Sequence, residues 1–180
     1  GGQDMLNMSV KTELTDLTQV MEKLRSEAFV DKSKMSLFGA SQGGVVASLY
    51  AAAYPDRVHK LLLIFPAFVL FDDAKEIYRE LGSPDFDQLP DSLTHNNTTL
   101  GKIYLIDALN IDIQAEQAKI TAPTLIIHGT DDSVVPYQYA VEASQTIPNA
   151  KLVTVEGGEH RIDETFAITA APAIQKFLKE

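Results

Sequence analysis

One serine, two adjacent aspartates and one histidine are placed where acyl-transfer chemistry would need them. Ser41 lies in Gly39-Ala40-Ser41-Gln42-Gly43, behind the short apolar run Met35–Phe38 and ahead of the small-residue stretch Val45–Ala53. Strand, sharp turn and helix in that order form the setting of a nucleophile elbow. Glycines at 39 and 43 are expected to leave room where side chains would clash, with the Ser41 hydroxyl exposed beside the positive end of a helix. Asp131 and Asp132 follow Leu125-Ile126-Ile127-His128, and His160 closes Glu156-Gly157-Gly158-Glu159-His160 after Leu152–Val155. A serine hydroxyl is a weak nucleophile until a base takes its proton. Histidine suits that role because its pKa lies near working pH, and a carboxylate on the other ring nitrogen fixes its tautomer. Gly-x-Ser-x-Gly is common by itself; the order Ser, Asp, His at three strand ends gives it weight.

The other histidines have plainer readings. His59 opens a strand, His95 lies in a polar loop, and His128 ends a strand before Gly129, where structural hydrogen bonds are expected. His160 alone follows a flexible Gly-Gly turn after the last strand, which marks it as the base. The neighbours Asp131 and Asp132 cannot be separated on physical grounds, although Asp131 also fits a turn residue capping the next segment.

The elements that must position these groups alternate. Apolar residues at Val10, Leu14, Leu17, Met21, Leu24 and Ala28 predict an amphipathic helix. Strands are expected over Met35–Phe38, Val58–Phe65, Thr124–His128 and Lys151–Val155, with helices over residues 45–54, Tyr137–Ile147 and Ile162–Leu178. Pro55 stops the helix after the elbow. Residues 67–119 differ in texture, with helical fragments at Asp72–Leu81 and Lys102–Ala108 between polar breaks such as Thr94–Thr99. The pattern predicts an α/β fold with a parallel sheet covered by helices. Its core is formed by residues 1–66 and 120–180, and residues 67–119 are an insertion. Functional groups in such a sheet gather past the carboxyl ends of the strands.

Composition narrows the partners. The 180 residues are one domain's worth of chain, 45% apolar and 22% charged. A net charge of −10 leaves no basic excess for a nucleic acid. With no cysteine, thiol catalysis, disulfides and Cys-ligated zinc are excluded. No apolar run reaches membrane-span length and no leader is visible, so a cytoplasmic, membrane-free protein is expected. No cofactor or metal is expected, because the carboxylates lack a histidine at ligand spacing.

The residues Gly39–Ser48, Tyr54-Pro55-Asp56, His128–Pro136 and Glu156–His160 together resemble those of α/β-hydrolases, and more narrowly the bacterial cinnamoyl (feruloyl) esterases. The resemblance spans nearly the whole chain. Its pattern His-Gly-x-x-Asp-x-x-Val implies Asp132 as the acid, with Ser41 as nucleophile, His160 as base and the Gln42 N–H in the oxyanion hole. It also implies a lid over residues 67–119, in which Asp73 and Tyr104 hydrogen-bond the phenolic hydroxyl of a hydroxycinnamoyl group. Without that role, Asp73 is a helix N-terminal charge and Tyr104 a core aromatic. Glu80 stands where a family member carries Gln. The implied activity is serine carboxylesterase action on hydroxycinnamate esters. The alternatives are another acyl hydrolase or peptidase of this fold, or a non-catalytic fragment that binds aromatic acids or self-associates. Relative to that family, one helix alone precedes the elbow strand. The expectation is therefore a chain lacking the N-terminal strands and the second oxyanion donor, with its sheet completed by a separate N-terminal chain or a homodimer.

Overall fold

Burial along the strands follows the apolar pattern. The computed structural model describes residues 5–95 and 98–180. The elements run α1 (Val10–Ser26), β1 (Leu37–Ala40), α2 (Gln42–Ala53), β2 (Leu61–Ile64), α3 (Leu70–Glu80), β3 (Ser92–His95), β4 (Thr98–Gly101), α4 (Lys102–Leu109), α5 (Ile113–Gln117), β5 (Thr124–Gly129), α6 (Gln138–Thr146), β6 (Ala150–Val155) and α7 (Glu164–Lys179). Strands β1, β2, β5 and β6 form one parallel sheet in that order. Every residue of β2 and β5 is buried, as expected for central strands covered on both faces.

Alternation along the strands divides the core in two. Leu61, Leu63 and Ile126 point to a face shared by Val10 and Met21 of α1, Tyr50 of α2, Phe71 of α3, Leu105 of α4 and Ala140 of α6. Leu62, Ile64, Leu125 and Ile127 point to the other, where α7 lays Phe166, Ala170 and Phe177. The buried Lys60 ammonium donates to the Phe177 carbonyl at 2.6 Å, a cation at the negative end of α7. Helix α1 starts in a capping box, with the Ser9 hydroxyl accepting from the Thr12 N–H and the Thr12 hydroxyl accepting from the Ser9 N–H.

Several boundaries differ from expectation. The elbow strand runs Leu37–Ala40 rather than Met35–Phe38, so it carries Gly39 and Ala40 directly into Ser41. Helix α1 ends at Ser26, and Ala28 lies beyond it. Of the segment 94–99, read as a polar loop, residues 94, 95, 98 and 99 belong to strands, since β3 and β4 pair antiparallel with Thr94 opposite Thr99, and residues 96 and 97 lie outside the described residues. The His95 side chain lies outside the described residues. Residues 67–119 carry α3, the hairpin, α4 and α5 between the adjacent strands β2 and β5.

Candidate active site

Ser41 joins β1 to α2 with φ 52° and ψ −127°, a left-handed backbone that a non-glycine residue rarely takes. Three backbone bonds hold it there. Its N–H donates to the Ile64 carbonyl at 3.0 Å, and its own carbonyl accepts from Gly44 at 2.9 Å and Ala67 at 3.0 Å. The crowding that demands glycine falls on Gly39. A Cβ there would run into the Gly43 carbonyl and come within 2.7 Å of Gly44 Cα. Gly43 was expected to be crowded as well, but a Cβ on it would meet nothing within 4 Å.

The acid and base loops are stitched together past the ends of β5 and β6. The Asp131 N–H donates to the Gly158 carbonyl at 3.0 Å, and the Gly157 N–H to the Thr130 hydroxyl at 2.8 Å. Gly129 faces the Gly158 backbone so closely that a side chain at either position would separate the loops. This contact carries His160 to Asp132. His160 Nδ1 lies 2.7 Å from Asp132 Oδ2, and its Nε2 lies 3.0 Å from Ser41 Oγ. The tautomer that donates Nδ1–H to the carboxylate leaves Nε2 free to accept the Ser41 proton.

The structure separates the two aspartates. Asp132 is buried, with Oδ1 accepting from the N–H groups of Val134 at 2.9 Å and Val135 at 2.7 Å. Asp131 is exposed and accepts from the Thr130 hydroxyl.

Two residues against the site were not singled out from sequence. Phe65, at the end of β2 with φ 34°, lays its ring 4.4 Å from the His160 ring, centroid to centroid. Its type and position at the strand next to the elbow were visible, but nothing in the pattern gave the direction of its ring. His128, read as a structural histidine, places Nε2 3.2 Å from Asp132 Oδ2 and 2.9 Å from the Val135 carbonyl. Burial pushes its pKa down, against the opposing pull of the Val135 carbonyl and Asp132, so the ring favours the neutral form.

Beside the elbow lies a cavity of about 390 Å³, lined by Gln42, Asp73, Ile77, Leu100, Tyr104 and Val134 among others. The Tyr104 hydroxyl donates to Gln42 Oε1 at 2.7 Å, and Gln42 Nε2 donates to Glu13 at 2.6 Å. Burial, together with the charges of Glu13 and Asp73, pushes the Tyr104 pKa up to about 12. Asp73 and Tyr104 thus share one wall with Gln42. Glu80 does not join them; it sits exposed at the end of α3 and does not line the cavity. The Gln42 N–H belongs to the first turn of α2, where helix geometry leaves it without an intrahelical acceptor. Among the described residues no group of three His, Cys, Asp or Glu could hold a metal ion, and no helix is long and apolar enough to cross a membrane.

The chain as a whole is similar to several known proteins. Est1E from Butyrivibrio proteoclasticus is 28% identical with a TM-score of 0.81, over 96% of this chain and 72% of that one. Its complex with ferulic acid aligns at 27% identity and a TM-score of 0.82, over 96% of this chain and 69% of that one. The putative carbamate hydrolase RutD of Pseudomonas syringae pv. syringae is 35% identical over 88 residues, 48% of this chain and 34% of the relative. The match therefore spans about a third of that relative's length. The AB hydrolase superfamily protein YisY of Bacillus subtilis is 28% identical over 157 residues, 69% of this chain and 59% of the relative. The model of the prolyl oligopeptidase family matches residues 5–180, and on that match the chain, with its α/β-hydrolase fold, belongs to the prolyl oligopeptidase family.

Proposed function

We propose that this chain forms the catalytic part of a serine carboxylic ester hydrolase working through an acyl-enzyme. The observation that carries the reading is the unbroken line from Ser41 Oγ to His160 Nε2, and from His160 Nδ1 to Asp132. In the proposed cycle His160 takes the Ser41 proton as Oγ attacks the ester carbonyl. The Gln42 N–H stabilises the oxyanion, and the imidazolium protonates the leaving alcohol. Water then repeats the sequence to release the acid.

We further propose hydroxycinnamate esters as substrates. The support is the likeness to Est1E, a protein solved with ferulic acid bound, together with a cavity beside the nucleophile whose wall holds Asp73 and Tyr104. Tyr104 already donates its proton to Gln42, so its oxygen is left to accept from a phenolic hydroxyl, and the Asp73 carboxylate is a second acceptor. The acyl group would therefore be one that presents an O–H donor. The prolyl oligopeptidase match favours a second reading, amide hydrolysis after proline. Methyl ferulate, methyl cinnamate, a short p-nitrophenyl ester and a prolyl p-nitroanilide, assayed with this protein and its Ser41→Ala variant, separate the two. The expected outcome is ester turnover abolished by Ser41→Ala, with ferulate preferred to cinnamate. Equal ester rates in the two proteins would end the nucleophile assignment, and faster release of p-nitroaniline would favour the peptidase reading.

A further inference from the structure

Asp132 Oδ2 has two imidazoles against it, and only one belongs to the proposed proton path. His160 Nδ1 is at 2.7 Å and His128 Nε2 at 3.2 Å. His128 is fully buried in β5, four residues before the carboxylate, and the intervening turn brings Asp132 back over its ring. Its Nε2 faces two acceptors, Asp132 Oδ2 and the Val135 carbonyl at 2.9 Å. A lone pair at Nε2 would repel both, so the proton belongs on Nε2, where it is shared between them. Nδ1 is then a buried lone pair, without a hydrogen-bond partner among the described residues.

We infer that His128 is a positioning residue of the triad, its Nε2–H holding the carboxylate oxygen to which His160 is bonded. The inference rests on the triad reading above. The geometry ties His128 to the acid as well as to the loop: the nitrogen that reaches the buried Val135 carbonyl is also the one within 3.2 Å of Asp132 Oδ2, the oxygen to which His160 is bonded. Asp132 is then fixed from both sides: two backbone N–H groups hold Oδ1, while Oδ2 is bonded to His160 Nδ1 and has His128 Nε2 within 3.2 Å. The Val135 carbonyl that shares the His128 proton belongs to the residue whose N–H holds Oδ1, so the loop and the ring lock each other. The titratable groups set around the His128 ring are Asp132, His160 across the carboxylate, and Tyr137, whose ring meets it edge-on at 6.0 Å.

The test compares His128→Gln, whose amide N–H reaches the place of Nε2–H, with His128→Asn, whose shorter side chain does not. Three quantities are read in each: the labelling rate of Ser41 by a fluorophosphonate, the downfield proton resonance of His160 Nδ1–H, and Tm. Gln is expected within about twofold of the unaltered protein. Asn is expected about tenfold slower, the scale of one lost hydrogen bond, with the downfield resonance lost and a Tm no lower than that of Gln. Equal labelling rates for Gln and Asn, or slowing that merely tracks Tm, would overturn the inference. Nitrogen NMR of the unaltered protein adds a test that needs no variant. His128 must show a protonated Nε2 and an unprotonated Nδ1, and the reverse tautomer refutes the inference. Failure of the unaltered protein to react with the probe would count against the nucleophile reading, whereas the NMR comparison still decides the role of His128.

Discussion

At the scale of single residues, Asp131 and Asp132 show how little residue type says about role. Both are acids on one turn. One faces water, and the other is buried with its oxygens met by two backbone N–H groups and two imidazoles. Asp132→Asn is expected to lower the esterase kcat by about 10⁴, because an amide favours the wrong tautomer of His160. Asp131→Asn should stay within about twofold, and steady-state kinetics on one ester decides both. Tyr104 supports a pH prediction. Its folded pKa is raised to about 12, above the ordinary 10, so the folded state holds the proton longer than the unfolded chain. The stability this provides is fully present below pH 10 and is lost as pH rises from 10 towards 12, by at most about 2.7 kcal/mol. Denaturant melts across that range should show the loss, and Tyr104→Phe should remove it. At this scale the sequence displayed Ser41 and His160 as candidates, because a strained elbow and a Gly-Gly turn leave marks in residue type. Phe65, His128 and the exposed position of Glu80 left none, because the direction of a ring or the outward face of a helix end is set by tertiary contacts.

At the scale of elements, the elbow works because β1 and α2 approach each other through a glycine that touches backbone. Gly39→Ala drives a methyl group into the Gly43 carbonyl and should destabilise the fold by at least about 2 kcal/mol while displacing Ser41. Gly43→Ala meets open space in the first turn of α2, and removing a flexible glycine from a helix should leave stability equal or raise it by about 0.5 kcal/mol. Thermal melts of the two variants test this contrast, and equal losses would refute it. Sequence alone suggested that both glycines were crowded, since the motif names both and only the backbone path shows which one touches. The same limit explains the other differences. Strand β1 was placed two residues early because Gly39 and Ala40 look like turn residues. The β3–β4 hairpin was read as a loop because its two strands are polar and short. The buried strands β2 and β5, by contrast, were plain from unbroken apolar runs.

At the scale of the whole molecule, β1 and β6 are the two edge strands of the sheet among the described residues, and β1 is the one beside the elbow. The Leu37 and Ser41 N–H groups turn toward β2, so the alternate residues Phe38 and Ala40 turn their backbone groups the other way, and among the described residues no strand pairs with them. Phe38 adds an apolar side chain that is 59% exposed. Unpaired N–H and C=O groups on a short edge with an exposed aromatic favour pairing with another strand, whereas lysine at an edge discourages it. The net charge of −10 opposes association at long range but is screened beyond about 8 Å at physiological salt, which leaves the local edge to decide. A sheet completed by a second copy of this chain is therefore our proposal for the 180-residue species. Its apparent mass in size-exclusion chromatography with light scattering should rise with concentration, and Phe38→Lys should hold it at the monomer value. Phe38 is exposed and takes part in none of the hydrogen bonds that join Ser41, His160 and Asp132, so Ser41 labelling by a fluorophosphonate should survive the substitution. A monomer at every concentration before the substitution, or association unchanged after it, would show that this edge does not recruit a partner.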